Sequence, residues 1–144
     1  MHNDLVFSFN MPEVFNYALT NVWGKDGKNW TQDQYETVGR YCLVGGIARA
    51  LRYTHADEHG DLDQDYFTGG PPDDFEELCE TIVTDLNRLL MPLVKQDPAR
   101  DMHAGGYKTI TDWNDGPWRD FDDVRDLLNK ATDQIKNQQF NGSN

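Results

Sequence analysis

The chain has 144 residues, the size of one domain, and its 13 basic and 25 acidic side chains give a net charge of −12. Such a charge argues against direct binding of nucleic acid or of an anionic membrane surface, because both need basic protein surface. Aromatic residues, at 12%, are too frequent for a disordered chain. We therefore expect one compact domain over residues 1–136, followed by a polar, flexible tail over residues 137–144.

The start of the chain lacks the basic segment and long apolar core of a signal peptide. Its apolar stretches are far shorter than the ~20 residues that cross a bilayer. We expect a cytoplasmic protein. Cys42 and Cys79 fall within apolar helical patterns, which predicts buried, reduced thiols rather than a disulfide.

The first predicted helix begins after Asn10, with Pro12 in its first turn and an apolar stripe from Val14 to Val22. Before it, Leu5 to Phe9 could form a short strand, although no partner strand is evident.

A second helix is predicted to start at a capping box formed by Thr31 and Gln34 and to run to Leu51. It would contain Gly39 and the pair at positions 45 and 46. A glycine inside a helix costs about 1 kcal/mol relative to alanine, so we expect these glycines to allow close packing against another helix.

The third predicted helix starts at Asp73 or Asp74 and has the strongest apolar stripe of the chain, which makes it the expected central helix. Pro92 should kink or end it. A fourth helix is predicted after Asp120. The predicted fold class is thus all-α: a single compact domain of about four main helices, with long acidic and Trp-containing loops and at most a marginal strand pair.

The negative charge is concentrated in residues 53–87, which contain eleven acidic residues and no lysine or arginine. Because like charges destabilise a compact state, this concentration predicts a surface that meets a protein with a basic surface. The candidate binding residues in this segment are Asp61, Asp63, Asp65, Asp73, Asp74, Glu76 and Glu77. The first three have the spacing of a calcium loop, but the glycine and glutamate that an EF-hand needs are missing, so we expect no cofactor. A weak cation site there stays open.

The string from His55 to His59 matches the inverted zincin pattern His-x-x-Glu-His. On a helix, His55 and His59 would share one face as zinc ligands, with Glu58 as general base. This is the basis of an alternative, a metal-dependent enzyme. The simpler interpretation is that all three are solvated loop residues, with no metal bound. Elsewhere we find no catalytic constellation, and the two serines lie near the termini.

Tryptophans flank the predicted loops. In the segment Trp113-Asn114-Asp115 the two polar residues favour an Asx-type turn that leads into the last helix. A small recognition pocket beside the indole is the functional alternative. Together with Trp30 and Gln32, these residues complete the set of candidate binding residues.

Three motifs in this order resemble an uncharacterised family of small proteins from actinobacteria and their phages: Trp30-Thr31-Gln32, Cys42-Leu43-Val44-Gly45-Gly46, and Trp113-Asn114-Asp115. Gly46 stands where the family usually has alanine. The resemblance spans about residues 5 to 135. It implies a largely helical cytoplasmic domain of unknown function, in the host cytoplasm if phage-encoded, and it transfers no catalytic residue.

The functional expectation is a non-enzymatic acidic binding or regulatory protein, of phage origin on the resemblance, that binds and modulates a host protein. Two alternatives stay open: the metal-dependent enzyme, and a DNA mimic that inhibits a nucleic-acid-binding protein. A DNA mimic would need carboxylates spaced along an exposed ridge as phosphates are. The oligomeric state is not indicated.

Overall fold

The computed structural model describes residues 5–62, 66–67, 72, 74–96 and 108–141. Within these ranges the chain forms α-helices and one small antiparallel sheet of two strands. In chain order the elements are α1 (Leu5–Ser8), α2 (Met11–Tyr17), a π-helical continuation (Ala18–Val22), β1 (Glu36–Thr37), β2 (Arg40–Tyr41), α3 (Leu43–His55), α4 (Phe75–Val94), α5 (Ile110–Asn114) and α6 (Phe121–Asn141). The fold is mainly helical, as predicted.

The N-terminal segment is helical, so the optional strand at Leu5 to Phe9 was wrong. The Phe9 N–H donates to the carbonyl of Leu5 at 3.1 Å, and both side chains are buried. A helical turn satisfies its own backbone, whereas a lone strand leaves its polar groups unpaired. The next helix, α2, begins as predicted, with the Asn10 side chain accepting the Glu13 N–H at 3.4 Å.

The helix predicted from Thr31 begins much later, at Leu43, and the proposed capping box does not form. A hairpin takes its place, in which Thr37 pairs with Arg40 across a turn of two residues. Both turn residues, Val38 and Gly39, have positive φ angles, 49° and 76°, as a type I′ hairpin turn requires. Two consecutive residues in the left-handed region are incompatible with a right-handed α-helix, so the helix predicted from Thr31 cannot pass through this turn.

Glycines 45 and 46 do allow close packing, but their neighbours are not another helix. A Cβ atom at Gly45 would overlap the backbone carbonyl of Tyr35, and one at Gly46 would overlap the indole ring of Trp23. The segment before the hairpin therefore lies directly on the first turn of α3, and Trp23 lies against the same turn. Gly39 instead serves the hairpin turn.

The centre of the domain is shared by α3 and α4, which pack against each other. The predicted central helix, α4, also contacts α1, α5 and α6. It starts after Asp74, whose side chain accepts the Glu77 N–H at 2.8 Å, and contains Pro92 in its last turn. Its buried apolar residues are Leu78, Cys79, Ile82, Leu86, Leu90, Met91, Leu93 and Val94.

The last helix, α6, follows Asp120 as predicted and continues through residues 137–141, the first part of the predicted tail. Along the described ranges, no helix is both long enough and apolar enough to cross a membrane.

Replacing Gly45 by alanine should lower the free energy of unfolding by about 1–3 kcal/mol, the usual cost of overpacking, although alanine is the better helix former. Urea unfolding measures the change. Gly39→Ala is the control, because a Cβ there meets no described atom within 4 Å and the backbone φ of 76° alone opposes it. If Gly45→Ala proved as stable as the parent protein, the close contact with Tyr35 would be wrong.

Candidate functional site

The side chain of Asn114 joins three segments of the chain and is 1% exposed. Its Oδ1 accepts the indole N–H of Trp30 at 2.8 Å and the backbone N–H of Leu43 at 3.2 Å. Its Nδ2 donates to the carbonyl of Thr31 at 3.2 Å and to Oδ1 of Asp115 at 3.0 Å. Two bonds accepted and two donated use the full capacity of an amide side chain. Asn114 therefore has no hydrogen-bonding capacity left for a ligand.

Gln32 and Asp115 complete this arrangement, which we call the Asn114 junction (Trp30, Gln32, Asn114 and Asp115). Gln32 Nε2 donates to the carbonyls of Asn114 and Gly116 at 2.8 and 2.9 Å. Asp115 Oδ1 also accepts the backbone N–H of Asp33 at 2.8 Å. Two motifs that lie 82 to 84 residues apart in sequence are thus brought into contact.

Trp113, the first residue of the Trp113-Asn114-Asp115 motif, is buried beside the junction. The guanidinium of Arg119 lies over its ring at 3.9 Å, and Arg119 Nε donates to its carbonyl at 2.7 Å. The polar groups of Trp113, Asn114 and Asp115 form hydrogen bonds within the protein, as a structural turn requires.

A pocket of about 720 Å³ lies against the junction. Ten of the residues that the structure describes line it, and none of these ten is a lysine or an arginine. Its carboxylates come from three parts of the chain: the loop and first strand of the hairpin, the N-terminus of α4, and the end of α5. They are Asp33, Glu36, Asp74, Glu76 and Asp115. We call this concavity the acidic pocket.

The uncharged part of the acidic pocket is formed by two half-buried aromatic rings, Tyr35 and Phe75, together with Cys42, Gln34 and Thr111. Burial raises the pKa of the Cys42 thiol to about 11, which outweighs the effect of the Gly45 N–H that donates to its Sγ at 3.4 Å. Burial likewise raises the pKa of Tyr35. Both groups are therefore neutral at pH 7, and a protonated thiol is a poor nucleophile.

The electrostatic balance of the acidic pocket favours cations. Helices α3 and α4 begin at its wall, with Cys42 and Asp74 as their caps, and each helix N-terminus contributes about +0.5 charge. This total of about +1 is small beside five carboxylates. In the part of the chain that the structure describes, none of the five forms a salt bridge with a lysine or arginine.

The two cysteines are buried and free, as predicted. Cys79 lies on the inner face of α4, and burial raises the pKa of its thiol strongly.

The structure does not give His55, Glu58 and His59 the helical arrangement that the zinc hypothesis needed. Helix α3 ends at His55, and the next residue is extended. His55 Nε2 accepts the backbone N–H of Asn10 at 3.1 Å, while Nδ1 lies 2.7 Å from Oγ1 of Thr54. His59 and Glu58 are exposed and contact each other at 3.5 Å. Among the described residues, no three His, Cys, Asp or Glu side chains are grouped to hold a metal ion.

The acidic residues of segment 53–87 that the structure describes lie in three different surroundings. Asp74 and Glu76 line the acidic pocket, and Glu77 follows them on α4. Asp61 lies in an exposed turn where Asp57 Oδ1 accepts the N–H groups of His59 and Asp61, bonds that lower the pKa of Asp57. The predicted candidates Asp63, Asp65 and Asp73 lie outside the described residues.

Asp85 departs most from the expectation of an exposed acidic segment, because it is 6% exposed. It accepts a hydrogen bond from the hydroxyl of Tyr66 and forms a salt bridge with Arg88 at 2.8 Å. Asp85 therefore holds the side chain of Tyr66 against α4. Sequence reasoning also missed Asp33 and Glu36 as site residues, because they lie outside the acidic segment.

A family model described as "Family of unknown function (DUF6197)" matches residues 25–134. The chain belongs to this family. The DUF6197 match includes the Asn114 junction and every residue that lines the acidic pocket, whereas α1, α2 and the π-helical continuation precede it. No curated protein and no solved structure matches the chain.

Asn114→Ala should lower the free energy of unfolding by at least about 2 kcal/mol. It leaves the Trp30 indole N–H, the Leu43 N–H and the Thr31 carbonyl without their partner, and each unsatisfied buried group costs about 1–3 kcal/mol. Urea unfolding measures the loss. Asn16→Ala, at an exposed position of α2, is the matched control and should change stability by no more than about 0.5 kcal/mol. Equal effects of the two substitutions would contradict a structural role for the junction.

Stability should fall as the pH drops below about 6.5, in part because of His55. Burial lowers the pKa of His55 from its usual 6.5, so the unfolded chain takes up a proton that the folded chain resists. This contribution is fully present above pH 6.5 and is lost toward lower pH. Urea unfolding at about pH 7.5 and about pH 5.5 should show a weaker pH dependence in His55→Gln than in the parent protein. The exposed His59→Gln should keep the parent's dependence; if His55→Gln also kept it, the prediction would be wrong.

Proposed function

We propose that the protein is a non-enzymatic binding or regulatory protein whose acidic pocket receives a positively charged group from a partner with a basic surface. The observation that carries this proposal is the pocket itself. Its volume of about 720 Å³ lies within the ~300–1,000 Å³ typical of ligand sites. Five carboxylates line it, and no lysine or arginine is among the described residues of its lining.

The chemistry of the pocket supports binding rather than catalysis. Cys42 is a thiol with a pKa of about 11, so it is protonated at neutral pH and weakly nucleophilic. His55, a zinc ligand in the metal-enzyme alternative, does not line the pocket and has both ring nitrogens in contact with neighbouring groups.

The shape of the site supports an inserted group rather than a mimic of DNA. A mimic presents its carboxylates along a ridge, whereas these five surround a concavity. In the wider form of the proposal, the chain is a phage product that acts on a host protein in the host cytoplasm. That part rests on the motif resemblance alone.

The test uses a short peptide of alternating glycine and basic residues as a probe, titrated by calorimetry against the full chain. Asp33→Asn combined with Glu76→Gln removes two charges from the pocket at exposed side chains. The matched control, Glu58→Gln combined with Asp61→Asn, removes two charges outside it. We expect the pocket variant to bind at least about tenfold more weakly, a change of about 1.4 kcal/mol, and the control to bind nearly as well as the parent.

Raising the salt concentration should weaken binding to the parent protein more than to the pocket variant, because screening acts on the charges that the variant lacks. An equal loss in the two double variants would assign binding to the overall charge and refute the pocket. Unchanged thermal midpoints would show that both variants fold.

A further inference from the structure

The acidic pocket combines carboxylates with exposed parts of two aromatic rings, and this combination selects among cations. We propose that the group it receives is the guanidinium of an arginine side chain in the partner protein. This inference rests on the proposed function and names its ligand.

The aromatic rings favour arginine over lysine. Tyr35 and Phe75 are half-buried and belong to the lining. A guanidinium is planar and weakly hydrated, so it stacks on an aromatic face at little cost in hydration. A lysine ammonium is compact and strongly hydrated, so a partly closed pocket costs it more.

The protein uses the same contact within its own fold. Arg119 lies over the ring of Trp113 at 3.9 Å, and Arg125 lies 5.2 Å from the ring centre of Phe121. Arg125 also donates to Oδ1 of the carboxylate of Asp122 at 2.7 Å. A guanidinium between an aromatic ring and a carboxylate is therefore an arrangement that this chain already forms.

Two carboxylates of the pocket, those of Asp115 and Asp74, are held in place by hydrogen bonds to their Oδ1 atoms. Asp115 uses Oδ1 for its bonds to the Asp33 N–H and to Asn114, and Asp74 uses Oδ1 to cap α4. Among the described residues no hydrogen-bond partner contacts the second oxygen of either carboxylate, so this oxygen can accept a bond from a ligand. Acceptors fixed before binding lose little freedom when the ligand arrives, and a guanidinium has five N–H donors to share among several carboxylates.

The volume of the pocket indicates the size of the ligand that it can hold. About 720 Å³ holds more than one side chain, so residues next to the arginine should enter with it. The ligand is accordingly an arginine within a peptide segment rather than a free guanidinium ion.

The test compares three pentapeptides with blocked ends, each with glycines around a central arginine, lysine or citrulline. Citrulline keeps the shape of arginine and lacks its charge. Affinities come from titrations followed by NMR of the full chain. We expect the arginine peptide to bind at least about tenfold more tightly than the lysine peptide, and the citrulline peptide to bind most weakly.

Phe75→Leu and, separately, Tyr35→Leu should reduce the ratio of arginine to lysine affinity, since each removes a stacking surface and keeps an apolar side chain. Phe7→Leu is the matched control, because Phe7 is 83% exposed and lies outside the pocket. Thermal midpoints identify any variant that fails to fold, and the second aromatic variant then decides.

The outcomes separate the two proposals. Equal affinity for the arginine and lysine peptides would overturn the arginine assignment and leave the proposed function standing. If neither charged peptide bound more tightly than the citrulline peptide, the proposed function itself would fail. An arginine preference that survived in the folded aromatic variants would locate binding outside the pocket and overturn the inference.

Discussion

The buried amide of Asn114 is the interaction on which the rest of this structure depends. It fixes the Trp30 loop, the first turn of α3 and the end of α5 relative to one another through four hydrogen bonds, and the Asn114 side chain that forms them is buried. Hydrogen bonds to a buried polar group contribute modestly when all are made, but the loss of one partner exposes the full cost of burial. Such a group therefore favours one arrangement over near alternatives.

The acidic pocket is a consequence of that arrangement. Its walls come from segments that the Asn114 junction and the packing of α3 against α4 bring together, and Asp115 belongs to both the junction and the pocket. Carboxylates repel one another, so their convergence opposes folding. The junction and the packing of α3 against α4 offset that repulsion, and a bound cation would relieve it.

Much of the helical framework was predictable from local signals. The apolar stripe of α4, its cap at Asp74, the cap of α2 at Asn10 and the start of α6 after Asp120 all depend on residues close in sequence. The hairpin was not predictable, because Thr31 and Gln34 make a convincing capping box, and the turn at Val38 places a β-branched residue in the left-handed region. The pocket was predictable only in part, since Asp33 and Glu36 meet Asp74 through contacts between distant segments.

The long sequence separation within the junction has a kinetic meaning. Bonds between residues 82 to 84 positions apart close a large loop, and such contacts form only after the chain has lost much of its freedom. No fragment containing only one of the two motifs can present the pocket. Because the unfolded chain has no such pocket, any ligand that occupies it stabilises the native state by RT ln(1 + [L]/Kd), about 2.7 kcal/mol at a hundredfold excess over Kd. The cellular lifetime of this protein would then depend on whether such a ligand is present.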